Sequence, residues 1–279
     1  MPEKEYTNEE KMDEVLPINQ RNFLKPDIIG QTARESLVDY SNPRRKEIAV
    51  SPGGDIQAAI NILDAEGGGT VLLKVGTHHL TSTISGKDGV SIIGEGIDIT
   101  IIECGGSAYG LDYTGTAAIP LQNFKLEDFT LQNSNNAAGM NISFCFNWTM
   151  ENVKVFSCDQ VGISINASQA YSLNNVRSTF NTGNGWNFIN TDASLSTPHQ
   201  GFILINCYAL ENTGIGFSFV SSTYKIQEFT LLNCPSFSNG ADGFDFDSGA
   251  TYIIRDIFLV SCISDENSGN GYDVNSLTT

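Results

Sequence analysis

Three aspartates late in the sequence are best suited by type and spacing to do chemistry. Asp245 and Asp247 belong to the phrase Gly-Phe-Asp-Phe-Asp at residues 243–247, and Asp273 belongs to Gly-Tyr-Asp-Val-Asn at residues 271–275. If the two phrases form neighbouring parallel strands, the backbones at Asp245 and Asp273 are about 4.8 Å apart, and Asp245 and Asp247 are about 6.6 Å apart along one strand. Glycoside hydrolysis uses two carboxyl groups about 5–9.5 Å apart. We therefore predict that these aspartates are the catalytic residues of a polysaccharide hydrolase.

The same aspartates admit other interpretations. Crowded carboxyl groups raise the pKa of one member, so that one acts as an acid and its neighbour as a base. An acidic protein also carries acidic faces that are merely solvated. Carboxylate oxygens are ligands of Ca²⁺ as well, so a Ca²⁺ site is a third interpretation. The hydrolytic interpretation itself requires no cofactor.

A second group of residues is suited to holding a sugar chain. Lys154, Arg177 and Tyr208 occupy the same outward position in three successive repeats, where two cations can hold a uronate and a ring can stack on a sugar. A polysaccharide lyase needs a base beside a neutralised uronate. These residues precede the aspartates by whole repeats, which weakens a single lyase site built from both groups.

Three further residues are predicted to contact substrate. Asn187 holds the outward position in its repeat that Asp245 holds in a later one. Asp192 and His199 lie in an insertion at residues 190–200, within the longest repeat. Loops of this kind often carry binding groups on a rigid scaffold.

All these residues are positioned by an internal repeat. Each copy has Val or Cys at the end of one phrase and, nine residues later, the Gly of a phrase Gly-apolar-x-apolar, while successive copies are 23, 31, 27 and 28 residues apart. The constant inner spacing fixes two short strands and a corner, and one loop per copy varies in length, as in a solenoid. The pairs are Val153 with Gly162, Val176 with Gly185, Cys207 with Gly216, Cys234 with Gly243, and Cys262 with Gly271.

Stacking of the repeats converts the alignment into columns. Val153, Val176, Cys207, Cys234 and Cys262 form one predicted interior column, in which cysteine serves as a small apolar residue rather than a disulfide partner. Five residues later, a column of asparagines is predicted to form a hydrogen-bonded ladder at a corner. Its members are Asn181, Asn212, Asn239 and Asn267.

The region before the repeats divides into an arm and the start of the solenoid. Residues 1–47 are polar and rich in both charges, and are predicted to form an arm or linker. A helix over residues 55–65 follows, with Asp55 as its N-cap and residues 67–69, all glycine, as its stop. Short strands are then predicted at residues 71–73, 80–84, 90–93 and 99–102.

Composition excludes several classes of partner. The chain of 279 residues has 15 Lys and Arg against 32 Asp and Glu, a net charge of -17. Such a surface repels phosphate, so neither nucleic acid nor an anionic membrane is an expected partner. No apolar stretch reaches the roughly 20 residues of a membrane span. No signal sequence is visible at residues 1–20.

The segments at residues 53–60, 67–77 and 90–96 carry a family resemblance. They resemble the entry of the pectate-lyase-like right-handed parallel β-helix superfamily, which includes polysaccharide lyases and hydrolases and phage tailspike-type proteins. The resemblance covers residues 48–279 and departs at residues 74–78, where a Pro-x-Gly-x-Tyr phrase is common. It implies an all-β, single-stranded right-handed parallel β-helix, a solenoid with an N-terminal capping helix and a polar arm.

The resemblance supplies fold and turn residues but no catalytic motif. The expected function is polysaccharide recognition, with depolymerisation by carboxylate acid/base hydrolysis. The alternatives are a non-catalytic structural or glycan-binding β-helix and a uronate lyase. Resemblance to tailspikes implies a homotrimer, an arm that attaches to a larger assembly, and a place on a virion or an extracellular surface. A cytoplasmic protein is the alternative.

Overall fold

The computed structural model describes residues 46–105, 109–135, 137–192, 194, 197–248 and 253–275. The predicted arm at residues 1–47 lies outside this part of the chain except for Lys46 and Glu47. These two residues belong to the first strand. The arm itself therefore stays a prediction.

The described residues form one helix and a series of short strands. The helix is α1 (Ile56–Ala65). The strands are β1 (Lys46–Val50), β2 (Gly69–Leu73), β3 (Gly76–Leu80), β4 (Ile84–Ser85), β5 (Val90–Ile93), β6 (Thr100–Cys104), β7 (Leu111–Thr114), β8 (Leu121–Gln122), β9 (Lys125–Gln132), β10 (Met140–Ser143), β11 (Cys145–Phe156), β12 (Ile163–Asn166), β13 (Gln169–Asn174), β14 (Arg177–Thr179), β15 (Trp186–Asn190), β16 (His199–Ile205), β17 (Tyr208–Leu210), β18 (Phe217–Ser221), β19 (Ile226–Leu232), β20 (Ser236–Phe237), β21 (Phe244–Asp247), β22 (Ile254–Val260), β23 (Ser264–Asp265) and β24 (Tyr272–Asn275).

The strands stack as a right-handed parallel β-helix of about eight turns, which confirms the predicted fold. An eight-stranded sheet has the order β4-β7-β10-β12-β15-β18-β21-β24, one strand from each turn. A 16-stranded sheet contains the path β1-β2-β5-β9-β11-β13-β16-β19-β22, with β14, β17, β20 and β23 stacked beside it. Each strand therefore pairs with the equivalent strand of the next turn.

Helix α1 covers the start of the solenoid as predicted. Asp55 is its N-cap, and the carboxylate accepts a hydrogen bond from the Ala58 N–H at 2.9 Å. The buried face of the helix includes Ile60 and Leu63, both fully buried against the first turns. Among the described residues, no helix is both long and apolar enough to cross a membrane.

The predicted interior column is confirmed. Val153, Val176, Cys207 and Cys234 are fully buried, and Cys262, in the last turn, is partly buried. The flanking strands of these residues pair in register. The cysteines are free thiols, as their use as small apolar residues predicts.

Stacked rings fill a neighbouring column of the core. Trp186, Phe217, Phe244 and Tyr272 follow one another on β15, β18, β21 and β24, with centroid separations of 5.7, 5.0 and 4.8 Å. Adjacent rings are nearly parallel, because in-register parallel strands repeat the same side-chain direction at every turn. Trp186 is therefore a core residue, as its repeat position predicts.

The predicted asparagine ladder lies at the corner before the eight-stranded sheet, where Asn181, Asn212 and Asn239 are buried and Asn267, in the last turn, is partly buried. The Asn212 Oδ1 accepts hydrogen bonds from the Asn181 N–H at 3.1 Å and from the Asn181 Nδ2 at 2.8 Å. Asn212 Nδ2 donates to Asn239 Oδ1 at 2.9 Å, and Asn239 Nδ2 donates to Asn267 Oδ1 at 2.8 Å. Each side-chain amide thus links one turn of the solenoid to the next.

A second row of asparagines directly precedes the Val or Cys of four repeats. Asn152, Asn175, Asn206 and Asn233 have φ values of 52°, 52°, 52° and 53°, the left-handed region that asparagine tolerates better than most residues. Asn175 Nδ2 donates to Asn152 Oδ1 at 2.8 Å, and Asn233 Nδ2 donates to Asn206 Oδ1 at 2.6 Å. Here asparagine bends the strand as well as linking the turns.

Replacing a buried ladder residue should cost more than replacing an exposed one. Asn212→Ala leaves two donors of buried Asn181 without an acceptor, so the free energy of unfolding should fall by about 3 kcal/mol. Asn233→Gly, on the exposed row, keeps the left-handed backbone and should cost less than about 1 kcal/mol. Urea unfolding followed by circular dichroism measures both. Equal losses would show that the buried ladder does not hold the turns.

Candidate functional site

Parallel pairing makes Asp245 and Asp273 direct neighbours on the outer face of the eight-stranded sheet. The two residues are Cα partners of β21 and β24, and Asp247 is paired with Asn275 in the same way. Phe244 and its equivalent positions point into the core, so alternation turns the aspartates outward. Asp245, Asp247 and Asp273 are called the aspartate cluster below.

The surroundings of Asp245 favour its protonated form. Partial burial, followed by the charges of Asp247, Asp273 and Asp242, raises the pKa of Asp245 from 3.8 to about 6. Burial is the larger cause, whereas the sequence indicated only crowding. A carboxyl group with this pKa can donate a proton close to neutral pH.

Hydrogen bonds orient the neighbours of Asp245. Asn275 Nδ2 donates to Asp273 Oδ2 at 2.7 Å, which holds one oxygen of that carboxylate. Asp242, directly before the repeat glycine Gly243, accepts a hydrogen bond from the Asn270 N–H. Asp242 is not among the three aspartates predicted from the sequence, although its position directly before the repeat glycine Gly243 is a signal for it.

The aspartate cluster ends a long polar row on this sheet. The register pairs one outward residue from each strand with the next, so that the row spans roughly 34 Å at about 4.8 Å per turn. Asn187 belongs to this row, as predicted, and its Oδ1 accepts a hydrogen bond from Asn184 Nδ2 at 2.8 Å. The members are Ser85, Asp112, Asn141, Ser164, Asn187, Ser218, Asp245 and Asp273.

The second predicted group forms a separate surface. Lys154, Arg177 and Tyr208 are Cα partners on β11, β14 and β17 of the 16-stranded sheet. The aspartate cluster lies on the eight-stranded sheet. The two groups therefore share neither a strand nor a sheet, which argues against one lyase site that combines them.

The cations of this surface already have partners within the protein. Lys154 Nζ lies 2.9 Å from Asp98 Oδ1 and 5.2 Å from the centroid of the Phe156 ring. The Arg177 guanidinium lies 5.9 Å from the centroid of the Tyr208 ring. The hydrogen bond from Lys154 is the main cause that lowers the pKa of Asp98. A bound uronate would have to compete with Asp98 for Lys154.

The structure corrects the prediction for His199. Its side chain is fully buried, with Nε2 2.6 Å from Tyr171 Oη and Nδ1 3.0 Å from the Ile189 carbonyl oxygen. Burial lowers the pKa of His199 to about 4. A neutral, enclosed imidazole cannot contact a glycan on the surface, so His199 is part of the core.

Asp192 also has a structural role rather than the predicted contact with substrate. It is 5% exposed and accepts hydrogen bonds from the N–H groups of Ser194 at 3.0 Å and Thr197 at 2.8 Å. Burial opposes ionisation, but hydrogen bonds from Ser194 and Thr197 outweigh it and lower the pKa of Asp192 to about 2. The carboxylate organises its own loop, which explains its sequence position without a substrate.

The Ca²⁺ interpretation gains no ligand set from the structure. Within the ranges that the structure describes, no group of three or more His, Cys, Asp or Glu side chains is arranged to hold a metal ion. Ca²⁺ takes six to eight oxygen ligands, typically about 2.3–2.6 Å away. A Ca²⁺ site therefore stays a prediction.

Solved structures with the same fold include phage proteins and a pectate lyase. The N-terminal fragment of bacteriophage Phi29 gene product 12 has a TM-score of 0.63 at 17% identity, over 89% of this chain and 45% of its own. Geobacillus virus E2 ORF18 has a TM-score of 0.55 at 15% identity, over 81% and 62%. Pectate lyase Pel9A has a TM-score of 0.54 at 18% identity, over 82% and 68%.

These likenesses establish the pectate-lyase-like parallel β-helix fold. The chain spans less than two thirds of either phage chain. No protein-family model and no curated protein sequence matches it. Sequence identities of this size show a shared fold, so a functional assignment must come from the site itself.

The raised pKa of Asp245 predicts a pH-dependent stability. Unfolding restores the ordinary pKa of Asp245, so between pH 3.8 and about 6 the native state keeps a proton on Asp245 that the unfolded state releases. The free energy of unfolding of the wild-type protein therefore falls as the pH rises through this range. After allowance for the partial exposure of Asp245, the loss is on the order of 1 kcal/mol.

Asp245→Asn should therefore stabilise the protein at pH 8 and leave its stability at pH 4 unchanged. Urea unfolding at the two pH values measures the difference. Asp159→Asn, at an exposed aspartate on another turn, is the matched control. Equal effects of Asp245→Asn at both pH values would show that Asp245 ionises normally.

Proposed function

We propose that this protein recognises a polysaccharide along the eight-stranded sheet and hydrolyses it at the aspartate cluster. The observation that carries the proposal is the direct pairing of Asp245 with Asp273, together with the raised pKa of Asp245. The row of small polar side chains that leads to the cluster offers hydrogen-bonding groups over several turns. The shared fold with a pectate lyase is consistent with this role.

In this mechanism Asp245 is the general acid. Its proton passes to the glycosidic oxygen as the bond from that oxygen to the anomeric carbon breaks, and the leaving sugar departs as an alcohol. A second carboxylate either removes a proton from the attacking water or attacks the anomeric carbon itself. Asp247 and Asp273 are the two candidates for that second role.

The stereochemistry of the product distinguishes these candidates. Carboxyl groups about 5–5.5 Å apart give retention through a covalent intermediate, and groups about 6.5–9.5 Å apart leave room for a water and give inversion. The shorter spacing is that expected between paired strands, where Asp273 faces Asp245. The longer one is that expected along a strand, where Asp247 follows Asp245.

A non-catalytic role is the second candidate function. The fold likeness to the Phi29 protein, with a TM-score of 0.63, favours a structural or glycan-binding component of a virion or an extracellular surface. A homotrimer and an arm at residues 1–47 that attaches to a larger assembly belong to this candidate. The aspartate cluster would then be a solvated acidic face, and the protein would bind a glycan without cleaving it.

Substitution of the cluster tests the catalytic role. Asp245→Asn should reduce cleavage by at least about 100-fold, and so should one of Asp247→Asn and Asp273→Asn, whichever removes the second carboxylate, since each removes a group that transfers a proton or stabilises charge in the transition state. Incubation with a panel of polysaccharides, followed by assays of reducing ends and of unsaturated products, separates a hydrolase from a lyase and from a binder. Asp159→Asn is the control. Full activity in Asp245→Asn, or in both Asp247→Asn and Asp273→Asn, would refute this site.

The pH dependence of cleavage provides an independent test. Asp245 must be protonated to act as the acid, so kcat/KM should fall about 10-fold per pH unit once the pH exceeds about 6. The measurement is kcat/KM between pH 4 and 9 on a substrate that the panel identifies. A rate that stays constant or increases from pH 5 to 8 would exclude Asp245 as the acid.

A further inference from the structure

A shallow cavity lies on the same outer face as the aspartate cluster. Its volume is about 290 Å³, and its lining residues come from three successive turns of the solenoid. Asn141 and Ser164 line it and are Cα partners in the polar row that leads to Asp245. The cavity and the cluster therefore belong to one continuous surface. The other lining residues are Tyr109, Ala137, Ala138, Gln160 and Val161.

The lining groups are suited to an uncharged sugar ring. Tyr109 supplies an aromatic face, and Gln160 and Ser164 supply an amide and a hydroxyl group. None of these three side chains has a hydrogen-bond partner within the described part of the chain, so their polar groups are available to a ligand. Ala138, which is 8% exposed, leaves room beside them.

Asn141 differs from these groups because its amide is already engaged. Its Nδ2 donates to Asp112 Oδ1 at 2.9 Å and to Thr114 Oγ1 at 3.1 Å. Asp112 is the nearest acidic member of the polar row, and its carboxylate is therefore paired with the side-chain amide of Asn141. The described residues that line the cavity are all uncharged.

The distance from the cavity to the cluster suits one extended glycan. Ser164 is followed along the row by Asn187, Ser218 and Asp245, each paired with the next. Three steps of about 4.8 Å place the cavity about 14 Å from the cluster. A chain of several sugar units laid along the row reaches both.

Charge restricts the kind of glycan. The protein carries a net charge of -17, and the cluster adds three carboxyl groups where the chain would be cut. A polyanionic glycan would be repelled from this face. An aromatic ring with amide and hydroxyl groups binds a neutral ring through stacking and hydrogen bonds instead.

We propose that the cavity at Tyr109, Gln160 and Ser164 is a sugar-binding subsite that accepts a neutral sugar residue of the same chain that is cut at the aspartate cluster. This inference rests on the proposed function and deepens it. It assigns the substrate to neutral polysaccharides. Substrates that reach the cavity should bind more tightly than shorter ones.

The test compares Tyr109→Ala, Tyr109→Phe and Gln160→Ala with the matched control Tyr224→Ala, at a partly exposed tyrosine between β18 and β19. The probes are glucan, galactan and mannan, polygalacturonate, and oligosaccharides of graded length from whichever polymer is bound. Calorimetry gives Kd, and reducing-end assays give KM and kcat. Gln160 is exposed, so its substitution should not disturb folding.

We expect a neutral polymer to bind. Tyr109→Ala should raise Kd and KM about 10-fold for long chains, Gln160→Ala should raise them severalfold, and Tyr109→Phe and Tyr224→Ala should leave them nearly unchanged. On oligosaccharides too short to reach the cavity, the Tyr109 and Gln160 variants should match the wild type, because only the cluster is then occupied.

Two results would overturn the inference and leave the proposed function intact. One is cleavage or binding of a neutral polymer that Tyr109→Ala and Gln160→Ala affect no more than Tyr224→Ala. The other is cleavage of polygalacturonate alone, because a polyanion does not fit this subsite. A wild-type protein that neither binds nor cleaves any probe would overturn the proposed function and the subsite together.

Discussion

The register between successive turns is the constraint on which the rest of the structure depends. Parallel pairing fixes which residue of one turn lies over which residue of the next. The side-chain amides of Asn181, Asn212, Asn239 and Asn267, of which the first three are buried, hold this register at a corner where a slip would leave donors unsatisfied. Because a one-residue slip would exchange inner and outer faces, the same register keeps the aromatic column inside and the polar row outside.

The stack also determines the electrostatics of the candidate site. Equivalent positions lie one above another, so acidic residues at the same repeat position become close neighbours whether or not this favours folding. Asp245 shows the consequence, since burial and three nearby carboxylates raise its pKa to about 6. A structure that only had to be stable would gain by replacing it. A carboxyl group with a raised pKa is expected where its protonation serves a function. The loss of stability that ionised Asp245 causes is therefore consistent with its proposed role as general acid.

The repeat made much of the architecture predictable, and its exceptions show where periodicity fails. The interior column and the ladder follow from the repeat spacing, because stacking imposes one environment on each position. The helix follows from local signals instead, the N-cap Asp55 and the glycines at residues 67–69. The strand predicted at residues 80–84 is wrong: β3 ends at Leu80 and β4 begins at Ile84, since a corner of Ser and Thr has the composition of a strand. His199 lies in an insertion without a repeat equivalent, so spacing gave no sign of its burial. Contacts between distant segments, such as Lys154 with Asp98, were likewise invisible.

The central claim is that stacking brings Asp245 and Asp273 together and changes the ionisation of Asp245. A titration of the side-chain carboxyl carbons by ¹³C NMR, in the wild type and in Asp273→Asn, tests it most directly. The structure predicts a pKa near 6 for Asp245 in the wild type and a lower value in the variant, since one of the charges that raise it is removed. An ordinary pKa near 3.8 that is the same in both proteins would contradict the register and the site built on it.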